Sequence, residues 1–145
     1  EWMYYGADVF RKSDAPKPEE TALWVHLGAS YAARAYEETP DGLKPLDGPN
    51  ASSILMVSPD LLDDAKTAFA GEPGLSSPQV GSVDKALGEL TALIKEGYRS
   101  YFGFFGYTAL FHTPVDTAAS TSPAIMEPIA RAIAKLIEDR LARPA

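Results

Sequence analysis

The chain contains no cysteine, which excludes disulfides, thiolate zinc sites and a cysteine nucleophile. Histidine is scarce as well, with two residues, His26 and His112. Clustered positive charge is missing: 13 Lys and Arg stand against 20 Asp and Glu, for a net charge of −7, and the cations are scattered. Phosphate binding needs them gathered, so no nucleic-acid partner is expected. No apolar run approaches the roughly 20 residues that cross a bilayer, so no membrane partner is expected either. Gly103 and Gly106 belong to no phosphate-loop pattern. Gly28-Ala29-Ser30-Tyr31-Ala32 starts like a serine nucleophile elbow but lacks the second glycine. Cysteine-free chains occur in every compartment, so periplasmic, secreted and cytoplasmic locations all stay open.

What is present is material for a core: 46% of the 145 residues are hydrophobic and 10% aromatic. Trp2, Tyr5 and Val9 fall on one helical stripe over residues 1–10. Thr21 to Gly28 reads as a buried strand, because Ala22, Leu23, Trp24, Val25 and Leu27 are nearly continuous. Residues 39–52 are rich in Pro, Gly, Asp and Asn and read as a loop or an edge ribbon. Ile54 to Val57 is a short buried strand, and Ser58-Pro59 starts a helix carrying Leu61, Leu62, Ala65 and Phe69. A second amphipathic helix is expected over 83–96, with Gly97 as its C-cap. The aromatic run from Tyr98 reads as core under a sheet, with a strand near Tyr107–Phe111 ending at His112. The last helix starts at Ser122-Pro123 and presents Ile125, Ile129, Ile133 and Leu136 at i, i+4 spacing; Pro128 is a point where it kinks or restarts. Continuous apolar strands between helices predict an α/β layered sheet flanked by helices. Few strands are available, and Glu1 opens directly on an aromatic stretch. The expectation is therefore one domain over residues 1–145, or the carboxyl-terminal portion of a larger one, with a preceding segment or another chain completing the sheet.

His112 is the leading candidate for chemistry. It precedes Thr113-Pro114, and Pro114 restrains the loop by fixing its own φ and biasing Thr113 to an extended shape. Asp116, four residues on, is within reach of the imidazole or of loop amides, and such a carboxylate is a usual outer partner of a zinc-bound histidine. The alternative is a histidine that hydrogen-bonds its own loop.

Phe111-His112-Thr113-Pro114-Val115-Asp116-Thr117, followed by a long amphipathic helix, resembles the closing segment of the co-catalytic zinc aminopeptidase and glutamate-carboxypeptidase-like family. There a Tyr/Phe-His-Thr-x-x-Asp-Thr motif supplies the last metal-binding histidine. Glu1-Trp2-Met3-Tyr4-Tyr5-Gly6-Ala7 is similar to that family's Glu-x-Gly-Leu-x-Gly-Ser segment, which makes Glu1 the match of a metal-ligand glutamate. Trp24-Val25-His26-Leu27-Gly28 falls where the family has Asn-x-Asp-Met-x-Gly. His26 then stands in place of a metal-binding aspartate, with the glycine one residue early. The family's His-x-Asp, bridging aspartate and general-base glutamate have no counterpart here. The resemblance thus implies part of a zinc-exopeptidase (phosphorylase/hydrolase-like) domain, with His112, Glu1 and His26 as zinc ligands and Asp116 behind His112. It also implies metal-activated water acting on a peptide or amide substrate. The alternative function is a non-catalytic peptidase-like scaffold or binding domain.

Overall fold

A computed structural model describes residues 7–28 and 31–143. Helix α1 (Ala7–Ser13) leads to strand β1 (Trp24–Leu27), then to the strands β2 (Arg34–Thr39) and β3 (Gly42–Pro49). Strand β4 (Ile54–Val57) and helix α2 (Leu62–Ala68) follow, then the two-residue strand β5 (Gln79–Val80), helix α3 (Glu89–Glu96), strand β6 (Tyr101–Phe105) and helix α4 (Pro123–Leu141). The main sheet has the order β1-β6-β4-β5. Strands β1 and β6 run parallel, β4 runs against β6, and β5 runs with β4. The fold is mixed α/β with helices on both faces of the sheet, as the alternation of apolar strands and helices leads one to expect.

Side-chain alternation assigns the faces. Leu55 and Val57 of β4, with Phe102 and Phe104 of β6, pack with Leu61 and Phe69 and with Ile125, Ile129 and Leu136 of α4. Met56 and Tyr101 point to the other face, against Leu90 and Leu93 of α3, with Trp24, Ile54 and Phe105 alongside. Phe102, Phe104 and Phe69 are fully buried, each contributing about 1.5–3 kcal/mol of transfer free energy. Helix α4 runs unbroken through Pro128, so no restart occurs there.

Several expectations need correction. The final strand of the sheet is 101–105, not 107–111. Both stretches are apolar, but only 101–105 can fill both faces by alternation; Tyr107 is 71% exposed, and the backbone closes turns such as Phe111 N–H to the Thr108 carbonyl. The helix expected over 83–96 begins at Glu89, because Gly88 sits at φ 55°, outside the helical region. Residues 39–52 lie largely in the β2–β3 ribbon, paired antiparallel and mostly exposed. Ser58 does not cap α2 with its side chain; its buried Oγ accepts the Tyr101 N–H at 3.0 Å, tying β4 to β6. Val9 is 64% exposed, so it lies off any buried stripe of α1, and Phe10 packs on Trp24 instead. Trp2 and Tyr5 lie outside the described residues.

Candidate functional site

The parallel pair β1 and β6 ends at Leu27 and Phe105, so their carboxyl ends lie at the same end of the sheet. His26 lies one residue before the end of β1, on the face that packs against α3. Its register partner in β6 is Gly103. A side chain there would crowd the imidazole, since a Cβ on Gly103 would lie 3.2 Å from His26 Cβ and 3.3 Å from Leu90 Cδ2. The ring stacks on Phe105, with centroids 5.6 Å apart, and its Nε2 is 3.7 Å from a carboxylate oxygen of Glu89, the first residue of α3. Burial draws the His26 pKa below its ordinary value, and the nearby Glu89 charge opposes this more weakly. The neutral imidazole is therefore the favoured form at neutral pH.

His26 and Glu89 line a cavity of about 410 Å³ with Ile54, Leu87, Phe105 and Tyr107. Its rim is pinned: Asn50 Nδ2 and Ser52 Oγ each donate to the Tyr107 carbonyl at 2.6 Å. Gly28 completes the wall, and only glycine fits there, because a Cβ would lie 1.9 Å from the Phe104 carbonyl oxygen.

His112 is held differently. It sits in turns between β6 and α4, with φ 60°, a left-handed conformation uncommon outside glycine. Its ring stacks on Phe111 at 3.8 Å. Among the described residues nothing hydrogen-bonds to the imidazole. Asp116 lines the same cleft of about 530 Å³, but its carboxylate accepts from Ser120 Oγ at 2.8 Å, and its N–H closes a turn to the Thr113 carbonyl. This cleft is walled by Tyr31 and Met126, and Tyr31 packs with the α4-side core.

The residues expected to share a metal therefore fall in two places. His112 and Asp116 line one cleft and His26 the other, and Phe111 lines both. Glu1 lies outside the described residues. Among the described residues, no three His, Cys, Asp or Glu side chains gather closely enough to hold a metal ion. Glu89 was not foreseen from the sequence, where it is one of many acidic helix residues; it is the first residue of α3, directly after Gly88. Among the described residues no helix is long and apolar enough to cross a membrane. Comparison with protein-family models, with curated proteins and with solved structures finds no match for the chain.

Proposed function

We propose that the chain is a peptidase-like binding domain that takes the apolar part of a peptide or amide into the cleft beyond β1 and β6. The observation that supports this reading is the pairing of His26 with Glu89 on the wall of an aromatic, aliphatic cavity. Apolar walls with a few convergent polar groups are the usual make-up of small-ligand clefts, and α/β sheets place such clefts beyond the carboxyl ends of strands. The test is an amide NMR titration with N-acetyl-leucinamide. With about 12 non-hydrogen atoms at roughly 0.3 kcal/mol each, binding on the order of 1–10 mM is expected. Shifts should concentrate at Leu87, Gly88 and Tyr107. Leu87→Arg, a change at a half-exposed position, should abolish them. No saturable shift, or the same shifts in L87R, would overturn the reading.

Metal-dependent hydrolysis is the second reading. It is supported by His112, an exposed imidazole held at φ 60° without a hydrogen-bond partner among the described residues inside the motif that resembles the aminopeptidase family. It requires Glu1 or another donor to join His112. Zinc calorimetry on the full chain tests it: a binding heat that disappears in His112→Ala would support it, and no heat in either protein would remove it.

A further inference from the structure

Three of the chain's six arginines, Arg99, Arg140 and Arg143, come from two distant parts of the sequence and line one cleft of about 640 Å³. It lies at the amino ends of β1 and β6, opposite the His26 cleft: Thr21 and Ala22 lead into β1, and Arg99 and Ser100 lead into β6. The Arg140 side chain is 19% exposed, and its Nε donates to Ser100 Oγ at 2.9 Å. The buried Ser100 hydroxyl donates in turn to Asp60 Oδ2 at 2.8 Å, and that oxygen is 3.7 Å from Arg140 Nε. These contacts occupy the Nε edge of the guanidinium. Its two Nη nitrogens have no hydrogen-bond partner among the described residues, and no described side-chain nitrogen is buried without one, so they are accessible. Arg99 is exposed and has neither an ion pair nor a side-chain hydrogen bond among the described residues. Arg143 is bonded to the Asp64 carboxylate and the Asp60 carbonyl. Glu19 and Glu20, both exposed, line the cleft as well, and among the described residues neither pairs with any of the three arginines.

We propose that this cleft binds the phosphate group of a small ligand, held by the free Nη edge of Arg140 and the guanidinium of Arg99. A guanidinium fork takes two oxygens of a carboxylate or a phosphate. A carboxylate has one pair of oxygens and one charge, so it satisfies one fork. A phosphate group has three free oxygens and close to two charges at neutral pH, enough to bridge both. The Asp60–Ser100 pair holds Arg140 in place before a ligand arrives, so less side-chain freedom is lost on binding. The opposing charges are Glu19 and Glu20 in the wall, Asp60 and Asp64 behind the arginines, and the carboxyl end of α4. They keep the affinity modest and disfavour a long polyanion, which suits a single phosphate group. The cleft is larger than that group needs, and Pro18, Ala22 and Leu141 leave room for an organic body. This site is separate from the His26 cleft and stands without the binding reading proposed there.

The experiment follows the amide and arginine Nε–H NMR signals of the full chain at constant ionic strength and about pH 7.5, where phosphate is mostly dianionic. The probes are inorganic phosphate, glycerol 3-phosphate and acetate. Saturable shifts are expected at Thr21, Arg99 and Ser100, with both phosphates bound about tenfold more tightly than acetate, the scale of one added charge-assisted hydrogen bond. Whichever phosphate binds more tightly identifies the free ion or the ester as the better ligand of the site. Arg99→Gln should lower phosphate affinity about tenfold without moving the urea midpoint, because that side chain is exposed and unpaired. Arg140→Lys keeps the charge, loses the fork and should weaken phosphate binding as well. Arg131→Gln removes an equal charge about two and a half turns earlier on α4, where Arg131 pairs with Glu127, and should leave phosphate binding unchanged. No saturable shift with either phosphate, equal affinity for acetate, or unchanged binding in R99Q would overturn the proposal. An equal loss in R131Q would overturn it too, because general charge attraction would then account for the binding.

Discussion

Two clefts meet at Phe111, and they are built from different materials. The His26 cleft is made by regular structure: β1 places the imidazole, β6 leaves room for it at Gly103, and the first residue of α3 sets the carboxylate beside it. The His112 cleft is made by turns between β6 and α4, where a non-glycine residue holds φ 60° and the nearby Asp116 is engaged by Ser120. In the first, burial and packing fix the geometry and shift a pKa. In the second, local backbone conformation does the holding and the imidazole stays exposed. Sites on strands and helices hold their side chains more rigidly than sites on loops, so the two clefts should respond differently to substitution.

The largest difference should appear at Gly28. A methyl group there meets the Phe104 carbonyl at 1.9 Å, so Gly28→Ala must push β1 away from β6. A loss of about 2–3 kcal/mol is expected in urea denaturation, together with loss of ligand binding in the His26 cleft. An unchanged midpoint would show that β1 is free to move and that the cleft is not held by the sheet.

A smaller effect is expected from pH. The folded protein binds the His26 proton less tightly than the unfolded chain, because burial lowers that pKa. The stabilisation is therefore complete above the unfolded value of roughly 6.5 and is lost as pH falls through the lower folded value. The stability difference between the unsubstituted protein and His26→Gln should be constant above about pH 7 and should shift against the unsubstituted protein on acidification. Glu89→Gln removes the opposing charge and should steepen that loss. A difference that does not change with pH would mean that His26 is not buried in solution.

The smallest effect belongs to the other cleft. At φ 60°, glycine is unstrained, whereas alanine carries a penalty of about 1–2 kcal/mol. His112→Gly should therefore be more stable than His112→Ala by about 1 kcal/mol in thermal or urea unfolding. Equal stability would show that residue 112 has another conformation in solution.

The sequence carried much of this structure where one physical signal dominated. The i, i+4 spacing of Ile125, Ile129 and Ile133 marks α4, and the unbroken Ile54–Val57 run marks β4. The run from Tyr98 to Phe111 was harder, because both of its halves are apolar. What separates them is long-range: pairing with β1 and β4 on either side, and the buried Ser58 hydroxyl that accepts the Tyr101 N–H. His26 was reached through the resemblance to zinc aminopeptidases and not through the strand pattern, which was read from the apolar residues around it. Its partner Glu89 was not legible. The helix pattern from Val83 to Glu96 conceals the break at Gly88 that makes Glu89 the first residue of α3, and a positive φ at one glycine leaves no mark in the periodicity.

Because the chain has two histidines, one experiment addresses both clefts at once. Imidazole NMR signals of His26 and His112 can be followed together while N-acetyl-leucinamide is titrated at pH 7. The account predicts that the His26 signals shift saturably, with the larger amplitude, and that the His112 signals follow weakly through the shared Phe111 wall. A larger saturable shift at His112, with His26 unmoved, would contradict it and place the ligand in the other cleft.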